Sequence, residues 1–178
     1  MMAVAHPKLG VRPFLPADAP LLREIFRDSI EELTADDYTE AQQEAWASTA
    51  DDVSDFAAKL SGRLTLVATL EGSPVGFASL EGKDKIDMLY VHPAATGQGV
   101  GAMLVDALEK LAGGRGVTRL AVDASDSARG FFEKRGYVAQ QRNSISIGDE
   151  WLANTTLHKQ LAAKREVSCS PSWRASRR

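Results

Sequence analysis

Three strand-like runs follow one another between Arg63 and Val91 with almost no chain between them. "RLTLVATL", "VGFASL" and "IDMLYV" are rich in β-branched and apolar residues, and only "EGSP" and "EGKDK" separate them. Links this short hold no crossover helix, so the three runs must be antiparallel neighbours in one sheet. After Gly97 the period changes. Val100, Met103, Leu104, Ala107, Leu108 and Leu111 recur at helical spacing, and "GGRG" stops the run. "TRLAVDA" then reads as a buried strand. The route from "IDMLYV" through that helix to "TRLAVDA" is a β-α-β crossover, which makes these two strands parallel.

The flanks complete the pattern. "LGVRPFLPAD" reads as a short strand ended by prolines, and Asp18 as the cap of a helix over "APLLREIFRDSIEEL". "DYTEAQQEAWAS" is a second helix, with Thr39 and Gln42 spaced as a capping box. "DDVSDFAAKLSG" is a third, stopped at Gly62. "SARGFFEKRG" is a short helix ending at Gly136, and the chain continues into a hairpin that turns at Gly148-Asp149. The expected fold is a mixed α+β sheet, mostly antiparallel, with helices on its faces.

Composition sets the outer bounds. The 178 residues fit one domain with a tail. The net charge of −3 gives no whole-chain reason to bind nucleic acid. Cys169 is the single cysteine, which excludes an internal disulfide and fits a reducing compartment. No run approaches a membrane span, and the first ten residues lack the features of a signal peptide, so a cytoplasmic location is expected. His6, His92 and His158 are far apart in sequence with no cysteine near them, so no metal site is expected. A loop-fixing role is expected for His92, before Pro93 at a strand end. The last residues, "KREVSCSPSWRASRR", carry +4 and have no periodicity, so a basic, disordered tail over 164–178 is expected, with −7 left on the rest.

"GQGVG", residues 97–101, opens the helix that follows it. Such a loop suits a phosphate: consecutive N–H groups point into one hollow, and the helix N-terminus adds positive partial charge. A nucleoside triphosphate loop would need Gly-Lys-Ser/Thr, where this chain has Gly101-Ala102-Met103. Gly97, Gly99 and Ala102, with Asp123 further on, satisfy a dinucleotide fingerprint. Against that, "HPAAT" separates the strand from the loop, and antiparallel strands precede it.

"LYVHPAATGQGVGAMLVDALEKLA" and "SDSARGFFEKRGY" together resemble the two acyl-CoA signatures of the GNAT superfamily of acetyltransferases, in strand, spacer, loop and helix, and then in Ala128, Phe131, Glu133, Lys134, Gly136 and Tyr137. The resemblance covers about residues 9–161. It implies a domain over 9–163, a twisted sheet of about seven strands whose one parallel pair splays to admit acetyl-CoA, and helices on both faces. It implies that the pyrophosphate rests on the amides of Thr96, Gly97, Gln98, Gly99, Val100 and Gly101, with Ala102 just beyond. The pantetheine arm would pair with the backbone of Leu89 and Val91, flanked by Tyr90. Ser125 and Ala128 would meet the arm from the other side, Phe131 and Phe132 would pack on the cofactor, and Lys134 would reach its phosphates. Two positions depart from the family pattern: Thr96 stands where Arg or Gln is usual, and Phe132 where a proton-donating Tyr is common.

The implied reaction is attack of a small-molecule primary amine on the thioester of acetyl-CoA, through a tetrahedral intermediate, with no metal. The Leu89 N–H is the implied oxyanion donor. Side chains alternate along a strand, so Asp87, Leu89 and Val91 are expected on one face, with Asp87 as the base. Its competing reading is a solvent-facing strand residue or an ion pair with Lys83 or Lys85. Tyr38, Trp46 and Asn154 are candidates for the acceptor site. The alternative function is an acyl-CoA-binding regulatory domain without turnover, suggested by Phe132 and Thr96. A monomer or a homodimer fits equally.

Overall fold

The computed structural model describes residues 7–162. The tail expected over 164–178 lies outside the described residues. Seven strands form one sheet in the order β1-β2-β3-β4-β5-β7-β6. They are β1 (Leu9–Pro13), β2 (Leu64–Leu70), β3 (Ser73–Glu81), β4 (Lys85–Val91), β5 (Arg119–Ser125), β6 (Val138–Ile147) and β7 (Glu150–Gln160). Every neighbouring pair is antiparallel except β4 and β5. The crossover between those two is α4 (Val100–Gly114), and the short helix after β5 is α5 (Asp126–Lys134). Before β2 come α1 (Ala19–Leu33), α2 (Glu40–Ala47) and α3 (Val53–Ser61). The mixed α+β sheet read from the sequence is the fold observed.

Two cores sandwich the sheet. On one face α4 and α5 bury Leu104, Leu108 and Phe132 against Ala78, Leu80, Ile86, Leu120 and Leu157. On the other, α1 and α3 bury Leu22, Ile25, Ile30 and Leu60 against Val67, Phe77 and Met88. Each fully buried leucine contributes about 2 kcal/mol of transfer free energy.

Local chemistry explains most helix ends. Thr39 and Gln42 form the capping box of α2: the Gln42 N–H donates to Thr39 Oγ1 (3.2 Å), and the Thr39 N–H donates to Gln42 Oε1 (2.9 Å). Gly136 takes φ +90°, the left-handed region that stops α5 cheaply. Asp18 corrects the sequence reading. It precedes α1 without capping it, because its carboxylate accepts two bonds from the Arg12 guanidinium (2.8 Å each) and one from the Leu15 N–H (2.9 Å). That guanidinium holds the Asp18 carboxyl below the usual range.

β4 is where fold becomes site. Its parallel pairing with β5 covers only Lys85↔Ala121 and Ile86↔Val122, and beyond these the two strands part. On the other edge the register with β3 runs from Ser79↔Met88 to Leu80↔Ile86, leaving Asp87 without a partner. Asp87 is therefore the extra residue of a β-bulge.

Candidate active site

The bulge re-aims the strand. Leu89 and Val91 pack towards the α4–α5 core, whereas Met88 and Tyr90 pack towards the α1–α3 core. Asp87 lines the same cavity as Met88 and Tyr90. The expectation that Asp87 shares a face with Leu89 and Val91 is thus corrected. Strict alternation fails by one residue, and the carboxylate lies on the opposite face from Leu89.

The backbone of the parted strand is free to bind. The His92 N–H donates to Val75 O on β3 (2.8 Å). Peptide groups alternate between the two edges of a strand, so the N–H of Tyr90 also faces β3. Those of Leu89 and Val91 face the split, where β5 no longer pairs with them. The split opens into a cleft of about 310 Å³. Leu89, Tyr90, Val91, Thr96, Gly101, Ser125, Ala128, Phe131 and Phe132 all line it.

The glycine loop ends the cleft. Gly97 and Gly99 take φ of +77° and +81°, and a Cβ on either would meet nothing within 4 Å, so the loop is an open cradle. The first intrahelical bond of α4 is Met103 N–H to Gly99 O (3.0 Å), so the N–H groups of Val100, Gly101 and Ala102 lie in its unpaired first turn. Val100 is a core side chain, 2 % exposed, and offers only its backbone. Gly101 lies against the Phe131 ring, 3.5 Å from where its Cβ would be. Thr96 turns its hydroxyl inward to Pro93 O (2.9 Å), and Gln98 Nε2 reaches back to Ala94 O (3.4 Å). His92 Nδ1 accepts the Ala94 N–H (3.1 Å), which is the loop-fixing role expected of it.

Three further residues named from the sequence take distinct places. Ser125 caps α5, its Oγ accepting the Ala128 N–H (3.2 Å), which leaves its own proton for the cleft. Phe132 is 2 % exposed and stacks edge-on with Tyr137 (5.1 Å), so it forms the floor of the cleft. Lys134 is exposed and does not line the cleft. Arg135 lies nearer: it stacks over Phe131 (5.6 Å) and pairs with Asp106 of α4.

A second cavity, of about 300 Å³, lies on the α1–α3 face. It shares Trp46, Asp87, Met88, Tyr90, Asp123 and Ser125 with the cleft. Tyr38, Trp46 and Asn154 all line it. The Tyr38 hydroxyl donates to Ala153 O (2.6 Å) and accepts the Asp126 N–H (2.9 Å), tying the α1–α2 connection to β7 and α5. Trp46 Nε1 donates to the Tyr90 hydroxyl (3.2 Å). Burial raises the Tyr90 pKa far above its ordinary value, so the phenol keeps its proton.

Two carboxylates face this cavity from the two parted strands. Asp87 pairs with Arg63, neither Lys83 nor Lys85 being its partner, and the two side chains are only 19 % and 17 % exposed. Asp123 pairs with Lys85 (2.8 Å) and accepts from the Thr156 hydroxyl (2.6 Å). Burial pushes the Asp123 carboxyl up, but the Lys85 and Thr156 bonds outweigh it and hold it below the usual range. From the sequence, Asp123 reads only as a dinucleotide ligand. Its place at the split follows from the register Ile86↔Val122, which no local signal reveals.

A glycine cradle, a splayed parallel pair with open strand edge and an adjoining cavity lined by two ion-paired carboxylates suit an acyl group carried on a long phosphate-bearing arm. The chain belongs to the GNAT family. The family's model, described as "Acetyltransferase (GNAT) domain", matches residues 34–152. A protein of Escherichia coli K12 described as the uncharacterized N-acetyltransferase YafP is 32 % identical over 146 residues, covering 82 % of this chain and 92 % of the relative. A crystal structure described as a GCN5-related N-acetyltransferase from Rhodopseudomonas palustris is 64 % identical, with a TM-score of 0.84, covering 90 % of this chain and 99 % of that one. The PaiA N-acetyltransferase of Thermoplasma acidophilum, solved with coenzyme A, shares the fold at 18 % identity and a TM-score of 0.72, covering 86 % of this chain and 99 % of that one. The protein is accordingly an acetyl-CoA-dependent N-acetyltransferase. Among the described residues, no helix is long and apolar enough to cross a membrane, and no three or more His, Cys, Asp or Glu side chains are grouped to hold a metal.

Proposed function

We propose that the protein transfers the acetyl group of acetyl-CoA to the primary amine of a small molecule, with the co-substrate in the cleft of the split strands and the acceptor in the cavity behind Asp87. The carrying observation is the bulge at Asp87, which turns a carboxylate to one side of β4 while the Leu89 N–H faces the split. The residues fit the co-substrate. Gly97 and Gly99 form an open cradle, the unpaired first-turn amides of α4 suit an anion, and the free edge of β4 offers the bonding pattern of a missing strand.

Each step then has an owner. Asp87, held in place by Arg63, takes the proton from the acceptor's ammonium, directly or through a water. The freed amine attacks the thioester carbonyl, forming the C–N bond. The Leu89 N–H stabilises the negative charge that develops on that oxygen. The C–S bond breaks, the sulfur leaves as a thiolate, which a thiol pKa of about 8.5 permits, and the second proton of the attacking nitrogen passes to water. Phe132 supplies no proton and instead keeps the sulfur side dry. Calorimetric titration with acetyl-CoA tests the cleft. Saturable binding is expected, and no binding at high micromolar concentration would remove the reading.

A further inference from the structure

The acceptor cavity has an uneven charge balance. Three ionisable side chains of Asp and Lys type line it: Asp87, Asp123 and Lys59. Both carboxylates already have partners within the protein, Asp87 in Arg63, which also reaches Glu81 (3.5 Å), and Asp123 in Lys85. Lys59, exposed on the last turn of α3, makes no ion pair or hydrogen bond with any described residue. Of the charged side chains lining the cavity, Lys59 is therefore the one left without a partner among the described residues. A molecule whose only charge is its ammonium gains nothing net from this lining, whereas an anion on the same molecule finds a free cation.

The remaining walls restrict the body that carries these charges. Phe26, Tyr38, Ile145, Ile147 and Leu152 make the side away from the cleft apolar. Asn154 Oδ1 is occupied by Asn143 Nδ2 (3.0 Å), which leaves the Asn154 amide N–H groups to donate into the cavity. The Tyr38–Ala153 bond and the Gln42 Nε2 bond to Trp151 O (2.7 Å) fasten the α1–α2 region onto β7. An extended peptide has no free strand edge to follow there. A volume of about 300 Å³ sits at the lower end of ligand pockets.

Resting on the function proposed above, we propose that the acceptor is a free α-amino acid with a large apolar side chain. Its amine meets Asp87, its side chain fills the aromatic and aliphatic walls, and its carboxylate is read by the Lys59 ammonium and the Asn154 amide. Lys59 is then a specificity-determining residue.

Matched pairs isolate the carboxylate: L-tryptophan against tryptamine, and L-phenylalanine against phenethylamine, each followed by thiol release from acetyl-CoA. At low salt, kcat/KM should favour the amino acid about tenfold, mainly through KM, as a steering and contact charge does. The preference should shrink as ionic strength rises. Lys59→Arg should keep it, and Lys59→Glu should reverse it in favour of the decarboxylated amines. Amines used as well as the amino acids by the wild type, or a preference unmoved in Lys59→Glu, would overturn the inference and leave the proposed function standing. Acetyl-CoA binding with neither kind of acceptor acetylated would overturn the inference, and the same silence across a panel of small primary amines would overturn the proposed function with it.

Discussion

The two sides of β4 solve different problems with different materials. On the α4–α5 side the site is mostly backbone: glycine dihedrals, first-turn amides and an unpaired strand edge, from one continuous stretch of chain. On the α1–α3 side it is mostly side chains, gathered from α1, α2, α3, β4, β5, β6 and β7. Backbone recognition tolerates changes of side chain but not of φ. Side-chain recognition does the reverse. The first side therefore suits a constant co-substrate, and the second is where an acceptor is chosen.

Substitutions that respect this division should separate binding from chemistry. The largest effect is expected at the bulge: Asp87→Asn should lower kcat about 100-fold and leave the acetyl-CoA Kd unchanged, as read by steady-state kinetics and calorimetry. A pH–rate profile unaltered by the substitution would take the base role away from Asp87. Gly99→Val asks the mirror question. Forcing a β-branched residue to φ +81° costs about 1–3 kcal/mol, so acetyl-CoA affinity should fall about 30-fold. Tyr38→Phe removes the hydroxyl that joins Ala153 to Asp126. The acceptor KM should rise about fivefold with the acetyl-CoA Kd unchanged, since one neutral hydrogen bond contributes about 1 kcal/mol.

The smallest effect lies away from both sides. Asp18 has its carboxyl pKa lowered by Arg12, so it stabilises the fold above the unfolded carboxylate pKa of about 3.9 and loses that contribution as pH falls through the lower folded value. Melting curves of the wild type and Asp18→Asn should differ at pH 7 and converge towards pH 2, with activity at neutral pH equal.

The same division decided what the sequence revealed. Gly97, Gly99 and Gly101 announce the cofactor side because glycine at close spacing has a local, conformational meaning. The helix at Thr39, the stop at Gly136 and the hairpin turn at Gly148 were legible for the same reason. The faces of β4 were not. A bulge is a mismatch between two strands, and "IDMLYV" looks identical with or without it. Arg63 as the partner of Asp87, and Asp123 beside it, depend on which strands lie adjacent and in what register. The insertion of β7 between β5 and β6 is likewise a property of the sheet and not of the hairpin's own residues. Asp18 misled because a helix-capping residue and an ion-pair partner are the same side chain, and Arg12 won the competition.

The joining of the two sides into one site is tested most directly by thiol release in a single preparation, with acetyl-CoA held at saturation and the amine varied. The predicted result is release that rises hyperbolically with amine, matched mole for mole by acceptor heavier by one acetyl group. Saturable acetyl-CoA binding with no amine-dependent release across small primary amines and amino acids would contradict it, and would make the cleft a binding module without chemistry.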